Sequence, residues 1–114
     1  MHELSIISNV FNIVTEVAEK EGLKKVVKVN LQVGKLNQVV PEMMQFAFET
    51  ISKNTIAENA ELNIILIPVL MKCKNCQNQF TVDENIYLCP KCGSFDLDLL
   101  EGKELFITSI EGER

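Results

Sequence analysis

The sequence predicts an α+β fold in which two helices lie on a three-stranded mixed sheet and a small cysteine-rich module is inserted before the last strand. Three observations lead to this prediction. Two segments repeat apolar residues at helical spacing, three have the residue pattern of strands, and four cysteines stand in two close pairs between the second and third strands. With 114 residues, the chain is long enough for one compact domain and a small appended module.

The two helices are predicted at residues 4–18 and from Pro41 to near Asn54. In the first, apolar residues recur every three or four positions, at Leu4, Ile7, Phe11, Val14 and Ala18. Gly22 follows and can adopt the left-handed conformation that commonly ends a helix. Pro41 suits a first turn, because its φ is already helical and its missing N–H would have no partner there. Each helix therefore has one apolar face to bury.

Three segments are predicted as strands. Val27–Val33 alternates between apolar and polar side chains and stops at Gly34, which is the pattern of a half-buried strand. Leu62–Ile67 is apolar on both sides along much of its length, as a central strand of a sheet would be. Glu104–Ile110 supplies the third strand after the cysteines. Together they can form the sheet that the two helices cover.

The order of these elements predicts a discontinuous main domain. Residues 1–70 and 99–114 would supply both helices and all three strands, and residues 71–98 would form the cysteine module as an excursion from the sheet. Within the module, Phe80–Val82 and Tyr87–Leu88 suggest a short hairpin. This hairpin would join the two cysteine pairs.

The four cysteines, Cys73, Cys76, Cys89 and Cys92, form two C-x-x-C pairs separated by twelve residues. Two residues between ligands allow a tight turn to aim both thiolates at one ion, and the spacing is typical of zinc ribbons. Four thiolates satisfy tetrahedral Zn²⁺ and leave no position for a substrate, so the site is predicted to be structural. The inserted module is therefore expected to be zinc-ribbon-like.

Three alternatives compete with structural zinc at the cysteines. Disulfide bonds are disfavoured, because the first residues show no secretory signal and a cytoplasmic location is predicted, where thiols stay reduced. A thioredoxin-like redox motif needs a single pair on a different fold. Iron in a rubredoxin-like cage stays open as a rival, since it uses the same four thiolates.

A second candidate metal site lies at the N-terminus, where His2, the one histidine of the chain, stands between Met1 and Glu3. The α-amino group of Met1 and the backbone nitrogen of His2 can form a five-membered chelate ring, and the imidazole can close another. The amide or the carboxylate of Glu3 can supply a further ligand. Nitrogen-rich sets of this kind suit Ni²⁺ or Cu²⁺ better than Mg²⁺ or Ca²⁺. The same residues also fit a plain surface histidine with Glu3 at a helix start.

Composition disfavours several functions. Sixteen acidic residues against eleven basic ones give a net charge of −5, which disfavours nucleic-acid binding, the main rival function for a zinc ribbon. The longest apolar run, residues 64–71, is too short to be inserted across a membrane. With one histidine and a saturated cysteine site, the chain offers no pair of base and nucleophile, so no enzymatic activity is expected.

Several further segments occur in a fixed order around the cysteines. They are Met1–Ser5, Val33–Leu36, Val40–Glu42, Phe46–Glu49, Cys89–Ser94, Gly102–Leu105 and Ser109–Glu111. In this ordered set the sequence resembles the HypA/HybF family of hydrogenase-maturation nickel metallochaperones. Some relatives carry further histidines near the cysteines, and this chain has none.

The resemblance implies a function and its partners. His2, with the Met1 amine and Glu3, would bind Ni²⁺ as cargo for the active site of [NiFe]-hydrogenase, and the four cysteines would bind structural Zn²⁺. The implied partners are a hydrogenase-maturation GTPase and the precursor of the hydrogenase large subunit. The sequence leaves open whether urease is also supplied and whether the chain forms a homodimer.

Overall fold

The computed structural model describes residues 3–82 and 86–114. Its elements in chain order are α1 (Glu3–Lys20), β1 (Lys25–Gly34), a short 3-10 turn (Lys35–Asn37), α2 (Pro41–Ser52), β2 (Glu61–Ile67), β3 (Leu70–Cys73), β4 (Gln79–Thr81), β5 (Leu97–Glu101) and β6 (Leu105–Glu113). The strands form two three-stranded sheets, with the orders β2-β1-β6 and β4-β3-β5. Within the described ranges, no helix combines the length and the apolar character needed to cross a membrane.

The chain divides into two compact units. The first comprises Met1–Gln32, Gln38–Ile65 and Phe106–Arg114, and the second comprises Val33–Asn37 and Leu66–Leu105. The first unit holds both helices and most of the sheet β2-β1-β6, whereas the second holds the other sheet and the four cysteines. The predicted division into a nickel-binding and a zinc-binding part is a statement about function and stays a prediction.

Both predicted helices are confirmed, with small shifts at their ends. α1 is one residue longer at its start and two longer at its end than predicted, and Gly22 follows it with a φ of 69°. α2 begins at Pro41 as predicted and ends at Ser52, two residues before Asn54. The helices pack against each other. Their buried apolar residues are Ile7, Val10, Val14 and Ala18 on α1, and Met44, Ala47 and Phe48 on α2.

β1 lies at the centre of the first sheet, with β2 along one side. Lys28 forms an ion pair with Glu61, and Asn30 accepts a hydrogen bond from the side chain of Asn63. The partners thus advance in the same direction along both strands, which is the arrangement of a parallel pair. Such a pair needs a crossover connection, and α2 supplies it.

β6 lies along the other side of β1 and runs antiparallel to it. The backbone N–H of Lys24, next to the start of β1, donates to the carbonyl of Glu113 at the end of β6. In the middle of the pair, the side chain of Asn30 donates to Ser109 at 2.8 Å. The sheet is therefore mixed, and the predicted fold class is confirmed.

Two details of the predicted first sheet are wrong. The prediction places β2 at the centre, yet it lies at an edge, and Ile65 and Leu66 are partly exposed there. In β1 the predicted alternation places Val27 in the core, but Val26 is buried and Val27 is 42% exposed, whereas Val29 is buried as expected. The alternation of buried and exposed residues therefore changes phase by one residue between Val27 and Val29.

In the second unit, β3 is the central strand and pairs antiparallel with both β4 and β5. Lys72 of β3 stands opposite Gln79 of β4, so residues 73–78 form the turn between these strands. Cys73 is the last residue of β3 and stands opposite Leu97 of β5. The first cysteine pair is therefore held in the turn of a hairpin.

The hairpin predicted between Phe80–Val82 and Tyr87–Leu88 is wrong. β4 pairs with β3, and Tyr87 and Leu88 lie in no strand. The connecting residues 83–85 lie outside the described residues. The N–H of Val82 also donates to the carbonyl of Val69 at 2.9 Å, which extends the pairing of β4 beyond the start of β3. Loop length does not explain this choice of partner, because the predicted loop at residues 83–86 is shorter than the turn at residues 73–78.

Candidate metal centre

The four cysteine side chains converge on one point. The Sγ atoms of Cys73 and Cys92 lie 3.5 Å apart and those of Cys76 and Cys89 lie 3.6 Å apart. All four sulfur atoms lie within 4.8 Å of one another. A tetrahedron of sulfurs around Zn²⁺, with metal–sulfur bonds of about 2.3 Å, has edges of about 3.8 Å. The cluster therefore has the size that a single tetrahedral metal ion requires.

The first cysteine turn is closed by its own backbone. The N–H of Cys73 donates to the carbonyl of Asn78 at 2.8 Å, and the N–H of Gln77 donates to the carbonyl of Cys73 at 2.9 Å. The N–H of Cys76 points at the Cys73 sulfur, 3.5 Å away. Gln77 has a φ of 68°, in the left-handed region. These contacts fix both thiols of the pair on the inside of one tight turn.

The second cysteine turn repeats this pattern. The N–H of Cys89 donates to the carbonyl of Ser94, and the N–H of Gly93 donates to the carbonyl of Cys89, both at 2.9 Å. Gly93 takes the left-handed position with a φ of 78°, where the first turn uses Gln77. The two turns therefore share one pattern of backbone hydrogen bonds, and each holds two thiols of the cluster.

The four thiols differ in exposure and acidity. Cys73 and Cys89 are buried, at 0% and 1% exposure, whereas Cys76 and Cys92 are exposed. Burial opposes ionisation of Cys89, but hydrogen bonds from the backbone N–H groups of Cys92 and Lys91 and from neighbouring thiols lower its pKa to about 6. One thiolate is thus available to a cation at neutral pH.

Cys76 behaves in the opposite way. A backbone N–H from Asn78 favours its thiolate, but burial of the sulfur and the neighbouring thiols outweigh it and raise the pKa of Cys76 to about 11. The thiols share protons because several negative charges cannot lie this close together without a cation. A divalent ion that replaces these protons removes the repulsion.

The donor set fits a structural metal such as zinc. Four sulfurs in a tetrahedral arrangement select zinc or iron among the common metals. Within the described part of the chain, no histidine or carboxylate joins the cluster. Four protein ligands leave no open position for a substrate, which is the property of a structural site. The predicted cysteine set is therefore brought together by the fold.

Lys74, which lies within the first cysteine pair, is paired with two carboxylates. The Nζ of Lys74 lies 3.4 Å from the carboxylate of Asp98 and 3.8 Å from that of Asp96. The backbone N–H of Lys74 also donates to the carbonyl of Asp96 at 2.9 Å. These acidic partners reduce the positive potential that binding to a phosphate backbone would need.

Of the predicted N-terminal ligands, Met1 and His2 lie outside the described residues, and Glu3 is the first residue of α1. Glu3 is buried, at 3% exposure. Its Oε2 accepts a hydrogen bond of 3.0 Å from the backbone N–H of Val40. Hydrogen bonds to the carboxylate lower the pKa of Glu3 to about 2, so it is ionised at neutral pH.

Two residues near these sites were not found by sequence reasoning. The role of Val40 could have been predicted, because Pro41 marks the start of a helix and the N–H of the residue before it then needs a hydrogen-bond acceptor. No sequence feature indicated a role for Asn75, whose side-chain amide lies 3.6 Å from the sulfur of Cys92. Its contact crosses from one cysteine turn to the other, and sequence spacing does not report such a distance.

The family model described as "Hydrogenase/urease nickel incorporation, metallochaperone, hypA" matches residues 1–112 of the chain. The chain belongs to the HypA family. Curated HypA relatives named "Hydrogenase maturation factor HypA" include one from Moorella thermoacetica, 36% identical over 99% of this chain and 100% of its own length. Another from Trichormus variabilis is 41% identical over 99% and 96% of the two chains.

Solved HypA structures are also similar to the chain. One is described as the solution structure of the Ni metallochaperone HypA from Helicobacter pylori; it is 26% identical, with a TM-score of 0.66 over 99% of this chain and 98% of that one. A second, described as the solution structure of HypA protein, is 28% identical, with a TM-score of 0.69 over 98% and 96%. The family assignment made from the sequence is confirmed by the family model, and the similarity in fold extends over 98–99% of the chain.

Proposed function

We propose that this chain is a nickel metallochaperone that binds Ni²⁺ at its N-terminus and delivers it to the active site of [NiFe]-hydrogenase during maturation. The match of the HypA family over residues 1–112 supports this proposal most strongly. The chain also begins Met1-His2-Glu3, a set of nitrogen donors suited to nickel. It has one histidine in 114 residues, and that histidine stands where it can join the terminal amine in a chelate.

In this proposal the nickel ligands are the α-amino group of Met1, the backbone nitrogen and imidazole of His2, and the backbone amide of Glu3. The carboxylate of Glu3 has a different task, because Val40 already donates a hydrogen bond to it and its burial keeps it within the protein. Glu3 would therefore fix the helix start from which the chelate extends. Acidification should weaken nickel binding, since the amine and imidazole must lose protons to bind a metal.

The cysteine centre has a separate function in this proposal. Zinc at Cys73, Cys76, Cys89 and Cys92 would be resident and structural, because four thiolates close its coordination sphere. Nickel at the N-terminus would be cargo, because an open chelate allows the ligands of an acceptor to attack. The two sites thus differ in how easily each gives up its ion, and delivery needs that difference.

We further propose the partners that the family implies. A hydrogenase-maturation GTPase and the precursor of the hydrogenase large subunit would receive or relay the ion in the cytoplasm, and urease could be a second destination. A docked partner would offer its ligands while the N-terminus still holds nickel, so that no free ion forms. In this role the chain passes on a metal and performs no bond-breaking reaction of its own.

A transfer experiment tests the proposal. Nickel-loaded protein is mixed with nickel-free large-subunit precursor and the GTPase, with a chelator present to capture any released ion, and nickel on the precursor is measured. We expect transfer from the protein with its native N-terminus and little from His2→Ala. Equal nickel on the precursor with both proteins, or with nickel salt alone under the same chelator, would contradict the proposal.

A further inference from the structure

Asn75 links the two cysteine turns through its side chain. It is the third residue of the first C-x-x-C pair and is exposed, and its Nδ2 lies 3.6 Å from the sulfur of Cys92 in the second pair. A thiolate accepts hydrogen bonds and cannot donate them, so the NH₂ end of the amide is the end that faces it. The contact from Asn75 thus connects the two turns, as the contacts between the cysteine sulfurs do.

Cys92 is one of the two exposed thiols of the centre, and it is the one that Asn75 contacts. It is exposed, whereas Cys73 and Cys89 are buried, so an incoming ligand can reach Cys92 more easily. The sulfur of Cys92 lies 3.5 Å from the sulfur of Cys73 and 3.6 Å from the side-chain amide nitrogen of Asn75. Of these two neighbours, Asn75 is the one that can be changed without removing a thiol of the cluster.

We propose that Asn75 is a positioning residue that holds the Cys92 thiolate in the metal centre and slows loss of the resident ion. Loss of a metal from four thiolates begins when one metal–sulfur bond breaks, the electron pair stays on sulfur, and a competing ligand takes the vacated position. An N–H donor aimed at the sulfur keeps the freed thiolate in place, so that it recombines before the competitor binds. Replacing a group that hydrogen-bonds to a metal ligand commonly lowers the metal affinity by about 10–100-fold.

The consequence for selectivity rests on the proposed function. A chain that carries nickel exposes its own zinc thiolates to a second ion that also binds sulfur. The exposed thiolates, Cys76 and Cys92, are the positions at which exchange would start. By retaining Cys92, Asn75 would keep the resident and cargo metals apart.

Zinc release without nickel tests the proposal. Zinc-loaded protein is mixed with excess chromogenic chelator and the release rate is followed for wild type, Asn75→Ala and Asn75→Asp. We expect about tenfold faster release from Asn75→Ala and at least as fast from Asn75→Asp, whose carboxylate cannot donate and repels the thiolate. Asn9→Ala is the matched control, because it makes the same change at an exposed asparagine of α1, outside the cysteine turns, and we expect it to stay within about twofold of wild type.

A second readout separates positioning from general loosening. Alkylation of the zinc-loaded protein by iodoacetamide, mapped by mass spectrometry, should rise at Cys92 and not at Cys76 when Asn75 is changed. Release rates for Asn75→Asp within twofold of wild type, or equal gains at Cys76 and Cys92, would overturn the proposal. So would an Asn9→Ala effect as large as that of Asn75→Ala. Because nickel is absent from both measurements, their outcome does not depend on the nickel proposal.

Discussion

The Oε2 of Glu3 accepts a hydrogen bond of 3.0 Å from the backbone N–H of Val40, which joins the first turn of α1 to the residue that precedes α2. No side chain of its own segment caps α2 at Val40. The carbonyl of Val40 in turn accepts from the N–H of Met43 at 3.0 Å, in the first turn of α2. Glu3 therefore fixes the start of both helices of the first unit.

Replacing Glu3 tests this role. We expect Glu3→Ala to lower the denaturant midpoint of unfolding, because it leaves the partly buried N–H of Val40 without this acceptor. Glu3→Gln should lower it less, since the amide oxygen can still accept. Glu42→Gln, a charge change in the exposed first turn of α2, serves as the control. Equal midpoints for wild type and Glu3→Ala would show that the contact with Val40 does not stabilise the fold.

The low pKa of Glu3 predicts how its contribution depends on pH. Folding lowers this pKa from 4.5 to about 2, so the folded state favours the carboxylate and the unfolded chain binds a proton more readily. The stabilisation is therefore complete above pH 4.5 and is lost as the pH falls towards about 2. Denaturant unfolding of wild type and Glu3→Gln across this range measures it. A stability difference between the two proteins that grew on acidification would contradict the predicted direction.

Gly34 and Gly102 of the second unit approach each other too closely for a side chain. A Cβ at Gly34 would overlap the carbonyl oxygen of Gly102, and that oxygen is fixed by the N–H of Leu36 at 2.9 Å. We expect Gly34→Ala to lower the free energy of unfolding by about 2–4 kcal/mol, because backbone must move. In Gly22→Ala, where φ is 69° and no atom lies within 4 Å of a Cβ, the cost should be about 1 kcal/mol. Denaturant titration compares them, and equal losses would refute the overlap.

Ser52 has a buried hydroxyl without a hydrogen-bond partner among the described residues, and this predicts that replacing it with alanine stabilises the fold. Its side chain is on the last residue of α2, the residue is 2% exposed, and its Oγ has no hydrogen-bond partner among the described residues. Removing an unsatisfied buried hydroxyl should raise the free energy of unfolding by about 1 kcal/mol in Ser52→Ala. Ser109→Ala, which removes an acceptor of Asn30, should not stabilise. A less stable Ser52→Ala would mean that the hydroxyl is hydrogen-bonded in solution.

Local sequence patterns predicted where the helices and strands lie better than they predicted which strands pair with each other. The helix ends at Gly22 and Pro41 follow from backbone properties of these residues and were predicted within two positions. The edge position of β2 was missed, because Ile65 and Leu66 are apolar whether or not another strand covers them. Apolar content reports a tendency to be buried and carries no information about strand order.

The metal centre shows the same limit. Close ligand spacing within each turn predicted that Cys73 and Cys92 would meet, because a single ion requires all four thiolates. The contact from Asn75 to Cys92 could not be predicted, since it depends on how two turns face each other across a gap of seventeen positions. Contacts set by chemistry within a motif are readable from sequence, and contacts set by packing between motifs are not.

Nickel binding at the N-terminus is tested most directly by calorimetry on the zinc-loaded protein. Ni²⁺ is titrated into untagged protein whose intact mass confirms Met1, into His2→Ala, and into a variant with extra residues before Met1. The proposal predicts stoichiometric binding by the native protein and at least about tenfold weaker binding by both variants, because one loses the imidazole and the other the terminal amine. Equal nickel affinity in all three proteins would contradict it.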